Sequence, residues 1–192
     1  RGATQSLVGL EVLEETSEVL WWSERDGWGH LYLYDAESGE LKNQVTSGAW
    51  QVRELSYVDE ENRLAYFTAG GREEDTEPYC RRLYRAPLDG GEVDLLSPEE
   101  ADHNVEASPC GRFFVDTFST VETPPVSVVR STTGEQVLKL QEADLEPLLD
   151  TGFRWPEPFR VKARDGVTDI HGTLFFPSNF DPEEKYRVVD SI

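Results

Sequence analysis

Five adjacent glutamate pairs, three histidines and two cysteines carry most of the chemistry this 192-residue chain could perform. The pairs fall at 14–15, 60–61, 73–74, 99–100 and 183–184, and all but Glu73-Glu74 read as turns. Glu73-Glu74 lies in a longer insertion, Gly70 to Tyr79. The acidic run Glu73, Glu74, Asp75 and Glu77 lacks the spaced ligands and central glycine of a calcium loop, so a solvated loop is expected. His30 stands at the entry of an aromatic run and is expected to make structural hydrogen bonds. His103 follows Ala101-Asp102; it can meet a carboxylate, but is read as a tie between neighbouring structural units. His171 has no His-x-His or His-Glu-x-x-His partner and is not read as a metal ligand. Cys80 and Cys110 match no zinc spacing and are read as two unpaired thiols, with one disulfide as the alternative. No metal and no cofactor is expected. A hydrolytic serine needs a strained G-x-S-x-G turn, which the sequence lacks, so the chain is expected to contain no catalytic residue.

The elements that must position these groups are short strands. Leu31-Tyr32-Leu33-Tyr34 runs into the turn Glu37-Ser38-Gly39-Glu40 and returns as Leu41 to Thr46. Leu83-Tyr84-Arg85 and Val93 to Leu96 flank Leu88-Asp89-Gly90-Gly91-Glu92, and Val126 to Arg130 and Val137 to Leu140 flank Thr133-Gly134-Glu135. Ahead of each hairpin lies another β-prone run: Val19 to Ser23, Leu64 to Thr68 and Phe113 to Thr117. Two further strands are expected at Arg53 to Val58 and Asn104 to Ser108. The steps from Leu20 to Leu64 to Phe113 are 44 and 49 residues, and those between Gly39, Gly90 and Gly134 are 51 and 44. A four-stranded propeller blade takes roughly 40–50 residues, so the period predicts about three blades. Trp21, Trp22, Trp28 and Trp50 are expected to pack within or between them.

The formal charge is −20, which repels a phosphate backbone and excludes nucleic acid as a natural partner. All but one unit of that net charge falls in residues 1–152. The shift in charge, at Trp155-Pro156-Glu157-Pro158, predicts a partial β-propeller over 1–152 and a different element over 153–192. In the latter, Phe159 to Ala163 and Ile170 to Phe176 read as strands around an Asp165-Gly166 turn, and Arg187-Val188-Val189 as the start of a third. The opening Arg1-Gly2-Ala3 and the ending within that third strand predict a piece of a longer protein.

Trp22-Ser23-Glu24-Arg25-Asp26-Gly27-Trp28-Gly29-His30 through Asp35, together with Val45-Thr46-Ser47-Gly48-Ala49-Trp50, resembles a blade of the dipeptidyl-peptidase-IV-like serine peptidases of the prolyl oligopeptidase family. Ser108-Pro109-Cys110-Gly111-Arg112-Phe113 is similar to a turn widespread in propellers, with Cys110 in the usual acidic place. Ala163-Arg164-Asp165-Gly166 through His171-Gly172, then Pro177 to Pro182 and Lys185-Tyr186, resembles the propeller-to-hydrolase junction, although Arg187 stands where the family often has proline. The resemblance implies a mainly β chain: part of a β-propeller, then the opening strands of a truncated α/β-hydrolase domain.

For the full-length parent, the resemblance implies a serine peptidase that removes N-terminal dipeptides, X-Pro preferred, while this region gates access of peptide substrates. Its partners would be peptides and the rest of its own chain, in a homo-oligomer. Such aminopeptidases hold the substrate ammonium with two carboxylates from an upstream motif. Glu73 and Glu74 are the candidate substrate-binding pair here, although they lack that motif's aromatic flanks. The rivals are acylaminoacyl or endo-oligopeptidase activity, and a propeller that only binds proteins; the tail 153–192 and the lack of repeated Trp-Asp signatures count against the latter. The compartment is left open, with a periplasmic or other extracytoplasmic setting as the working expectation.

Overall fold

The computed structural model describes residues 9–74 and 76–189. The opening Arg1-Gly2-Ala3 and Asp75 of the acidic run lie outside the described residues. The chain divides into two compact units, the first spanning 1–120 and 125–142, the second 121–124 and 143–192.

The first unit is three four-stranded antiparallel sheets, each a meander in chain order. Sheet one contains β1 (Leu10–Leu13), β2 (Glu18–Ser23), β3 (His30–Asp35) and β4 (Leu41–Gln44). Sheet two contains β5 (Gln51–Asp59), β6 (Leu64–Gly70), β7 (Arg82–Pro87) and β8 (Asp94–Leu95). Sheet three contains β9 (Asp102–Ala107), β10 (Phe113–Ser119), β11 (Val126–Ser131) and β12 (Gln136–Glu142). The repeat expected from the turn spacing is therefore present as three sheets of four. Strand β1 is the addition: Leu10-Glu11-Val12-Leu13 pairs with β2 from Leu10↔Trp21 to Leu13↔Glu18. With only Leu13 of the four buried, it carries too weak an apolar alternation to be read from sequence.

Alternation sends side chains to two faces of each strand, and stacking decides which are buried. Strand β6 is buried almost throughout because sheets lie on both its sides. Its Ala65, Phe67 and Ala69 join Leu13, Leu20, Leu31, Leu33 and Trp50 in an apolar core shared with sheet one. Its Tyr66 joins Leu83, Leu96, Val105 and Phe114 in a smaller core shared with sheet three. Trp50 stacks on Phe67 at 6.3 Å between ring centres and on Tyr84 at 6.3 Å, with His30 edge-on at 5.0 Å. Trp22 packs against the same core and donates to the Val52 carbonyl. Trp21 and Trp28, expected to be packed, are each 43% exposed. Trp21 lies on the face of β2 opposite Leu20, which sheet two does not cover.

The second unit holds one turn of helix, α1 (Glu146–Leu149), and a hairpin of β13 (Glu157–Lys162) and β14 (Asp169–Leu174). Asp165 fixes the hairpin turn by accepting from the backbone N–H groups of Val167 and Thr168 at 2.9 Å each. Phe159 lies across Gly172, where a Cβ would sit 2.3 Å from its ring. The third strand expected at Arg187 to Val189 does not form. Val188 and Val189 are 85% and 89% exposed, and β-prone residues without a strand to pair with have no ladder to join. No helix among the described residues is long and apolar enough to cross a membrane.

Candidate functional site

The insertion between β6 and β7 is folded by its own residues. Gly71 turns the chain with φ +79°, and at Gly70 a Cβ would meet the Pro78 carbonyl oxygen at 2.7 Å. The Thr76 hydroxyl donates to the Glu73 carbonyl at 2.9 Å. Arg72 anchors the loop to sheet two: its guanidinium donates to the Val93 carbonyl at 2.9 Å and lies 5.4 Å from the Tyr84 ring centre. The Glu73 carboxylate accepts from Arg72 at 2.8 Å and from the Tyr84 hydroxyl at 3.3 Å. Burial and the Glu73 charge hold the Tyr84 hydroxyl well above the usual phenol range. Glu74 is exposed on the same loop. The two carboxylates thus differ in setting, with Glu73 engaged by an arginine and a tyrosine.

Two ion networks tie the sheets together. Glu18, 1% exposed, accepts from Arg63 of the β5–β6 turn at 2.9 Å, from Thr16 at 2.7 Å and from Lys42. Burial pulls this carboxyl upward, but the donors from Arg63, Lys42 and Thr16 override it and hold it at about 2. Between sheets two and three, Arg81 grips Asp102 through Nε at 2.9 Å and Nη2 at 2.6 Å. Burial again works against the Asp102 charge, and Arg81 more than offsets it, leaving the carboxyl below its ordinary value.

Sheet three also carries a buried polar cluster. His103, Asp116 and Arg130 are each no more than 1% exposed. His103 Nδ1 lies 2.9 Å from Asp116 Oδ1, and its Nε2 lies 3.1 Å from the Glu99 carbonyl oxygen. Arg130 donates from Nε to Asp116 and from Nη2 to the Glu99 carboxylate, both at 2.6 Å. Glu99, His103 and Asp116 could in principle surround a metal ion. The guanidinium of Arg130 already supplies the positive charge between the two carboxylates. With Nε2 bonded to a backbone carbonyl, His103 is also not placed as a general base.

The Ser108–Phe113 turn closes with Ser108 Oγ accepting from the Phe113 N–H at 3.1 Å and Cys110 Sγ 3.4 Å from that hydroxyl. Both cysteines are free. Hydrogen bonds from Ser108 and Arg112 lower the exposed Cys110 thiol to about 7, whereas burial and the Glu77 and Asp102 charges push Cys80 up to about 11. In the second unit, Arg154 lies over the Phe176 and Phe180 rings, and Tyr186 packs on Phe180 and accepts from the Asp181 N–H at 2.9 Å.

Residues 5–125 match the family described as the dipeptidyl peptidase IV (DPP IV) N-terminal region, well over half of the chain. The chain belongs to this family. Among curated relatives, dipeptidyl peptidase 4 of Trichophyton tonsurans and that of Trichophyton rubrum are each 26% identical over 175 residues, which cover 87% of this chain and 21% of theirs. A crystal structure described as a candidate dipeptidyl aminopeptidase IV from Bacteroides ovatus superposes with a TM-score of 0.74 at 25% identity, covering 94% of this chain and 27% of that one. Dipeptidyl peptidase 4 of Porphyromonas gingivalis shares the fold, with a TM-score of 0.74 at 23% identity. The chain therefore spans about a fifth of the curated relatives it matches, and the partial β-propeller expected from its period is the fold these structures share.

The residues singled out from sequence lie on different elements. His30 makes the expected structural bonds, Nδ1 to Thr46 Oγ1 and Nε2 to the Gly48 carbonyl, both at 3.0 Å. His103 departs from expectation. Its side chain meets the carboxylate of Asp116 within its own sheet, and only its backbone N–H reaches sheet two, donating to the Arg81 carbonyl at 2.9 Å. His171 lies on β14, opposite Arg160. Asp116 and Arg130 were not legible as site residues, although a signal existed. They occupy the same strand faces as Phe114 and Val128, so alternation alone directs two opposite charges inward.

Proposed function

We propose that this chain is the propeller part, continuing into the first strands of an α/β-hydrolase domain over 153–192, of a serine-type dipeptidyl peptidase. In that parent it gates the approach of short peptides, and the nucleophile and base come from the rest of the polypeptide. The observation that carries this reading is the family match over 5–125 laid on three meander sheets in tandem. The coverage of about a fifth of the relatives supports the rest of the same polypeptide as the first partner. A homo-oligomeric parent and a preference for proline at the second position belong to the same proposal. Of the candidate carboxylates, Glu74 is the one exposed for a substrate ammonium, while Glu73 positions the loop.

The test uses the full-length polypeptide and two chromogenic substrates. Ala-Pro-anilide is expected to be cleaved. Acetyl-Ala-Pro-anilide lacks the ammonium that the upstream carboxylate pair of such aminopeptidases would hold in the parent, a loss of about 3 kcal/mol, and should react at least about a hundredfold more slowly. Equal turnover of the two would make the parent an endo- or acyl-peptidase. The 192-residue chain alone, with no G-x-S-x-G turn, should hydrolyse neither.

A further inference from the structure

The two buried histidines of the first unit differ in the hydrogen bonds their rings require. The His30 ring meets a hydroxyl at one nitrogen and a carbonyl at the other. Thr46 Oγ1, which already accepts from the Leu31 N–H at 3.0 Å, has a proton to donate to Nδ1, so a neutral ring protonated at Nε2 satisfies every partner. His103 has no such choice. Its Nε2 faces the Glu99 carbonyl oxygen, an acceptor only, and its Nδ1 lies 2.9 and 3.0 Å from the two oxygens of Asp116. Asp116 also accepts from the Arg130 guanidinium at 2.6 Å, which does not release its proton in proteins. Two acceptors facing one ring require a hydrogen on each nitrogen.

We infer that His103 is an imidazolium that completes a four-charge cluster with Asp116, Arg130 and Glu99, so that closing sheet three requires a bound proton. The charge count agrees. Two carboxylates and one guanidinium leave one negative charge, which the imidazolium cancels; His103, Asp116 and Arg130 have almost no exposure, while the Glu99 side chain is 30% exposed at the edge. The Phe118 ring borders both cations, 5.1 Å from the His103 ring centre and 5.8 Å from the Arg130 guanidinium carbon, and its face favours positive charge. The next carboxylate, Asp102, adds negative potential at His103 but is itself gripped by Arg81 from sheet two. A neutral ring would turn a lone pair toward either Asp116 or the Glu99 carbonyl; each keeps a second donor, Arg130 Nε at 2.6 Å and the Ala101 N–H at 3.0 Å, but the ring nitrogen and the oxygen would then face each other with no hydrogen between them.

The test is nitrogen NMR on protein labelled with 15N-histidine, where three histidines give three ring pairs. His103 is assigned by H103Q or, should that variant not fold, by contacts of its ring protons with Phe118, as those with Trp50 assign His30. At neutral pH both His103 nitrogens should carry hydrogens, while His30 shows one protonated and one bare nitrogen. One bare nitrogen on His103 at neutral pH in the folded protein overturns the inference.

Discussion

The seam between sheets one and two and the seam between sheets two and three use the same strands of sheet two but different chemistry. The first is apolar, with Leu20, Leu31, Leu33, Trp50, Phe67 and Tyr84 at its centre and, at its rim, the buried carboxylate of Glu18 held by Arg63 and Lys42. The second has a smaller apolar cluster, and on the same face of sheet three it places His103, Asp116 and Arg130. Apolar burial is non-directional and tolerates neighbours of roughly the right size. A buried charged cluster is stable only when each member is satisfied, so it fixes one geometry and fails sharply when a member is lost. The two seams should therefore respond differently to substitution, and four changes test this from the largest expected effect to the smallest.

Phe67→Ala probes the apolar seam. The ring is fully buried and packs against both Trp50 at 6.3 Å and Tyr84 at 6.1 Å, so its removal leaves a cavity that a sheet cannot easily close. A loss of about 4 kcal/mol is expected in denaturant unfolding, the middle of the range for such truncations. A loss below about 1 kcal/mol would show that the seam repacks as a fluid.

Arg130→Met probes the polar seam at nearly constant volume. It leaves Asp116 buried with His103 alone and frees the Glu99 carboxylate, which should cost about 3 kcal/mol. The decisive comparison is the triple change Arg130→Met, Asp116→Leu, His103→Phe. Removing the three buried members, with Glu99 left at its partly exposed site, should recover most of the loss, because the penalty comes from stranded charge rather than from missing attraction. If the triple variant is no better than the single one, the cluster contributes net stability and the contrast between the seams disappears.

How much of this was legible follows from the same distinction. An apolar seam writes itself into the sequence: Leu20, Leu31-Tyr32-Leu33 and the run Leu64 to Ala69 are β-prone at the spacing of stacked sheets, and their strands were read to within a few residues. The polar seam is assembled from positions 99, 103, 116 and 130; His103 reads as a tie between units, but the other three look solvated when taken singly. Only the register of β10 with β9 and β11, Asp116↔Val105 and Asp116↔Val128, brings them onto one face. Exposed Trp21 was misread for a related reason: strand alternation gives two faces but does not say which one is covered. The reading of Glu73-Glu74 as a pair failed to separate two carboxylates that Arg72 and Tyr84 make unequal.

Acid should loosen the apolar seam through the buried carboxylate at its rim. Glu18 is held at about 2, below its ordinary value of 4.5, so the folded chain binds its proton more weakly than the unfolded chain. Its contribution is complete above about pH 4.5 and is lost as pH falls toward 2, amounting to about 2 kcal/mol once the exposed Lys42 end is discounted for screening. In a Glu18→Gln variant, stability measured from pH 5 to pH 2.5 should fall by correspondingly less than in the parent sequence. Identical acid profiles would locate the sensitivity elsewhere.

The smallest effect is expected from the other carboxylate on the same arginine. Arg63 reaches Glu18 through Nη1 at 2.9 Å and Asp89 through Nε and Nη2, both at 2.6 Å, so by distance alone Asp89 is the better partner. Exposure reverses the ranking. The Asp89 side chain is 62% exposed against 1% for Glu18, and water replaces most of what a solvated carboxylate gives or receives. Asp89→Asn should therefore change stability by no more than about 0.5 kcal/mol, while Glu18→Gln, at the same arginine, costs about 2 kcal/mol at neutral pH. The pair is best measured as a double-mutant cycle, because Arg63 is shared and releasing one carboxylate frees its donors for the other. If Asp89→Asn proves the costlier change, bond length rather than desolvation governs these ties, and the polar seam could then not owe its sensitivity to burial.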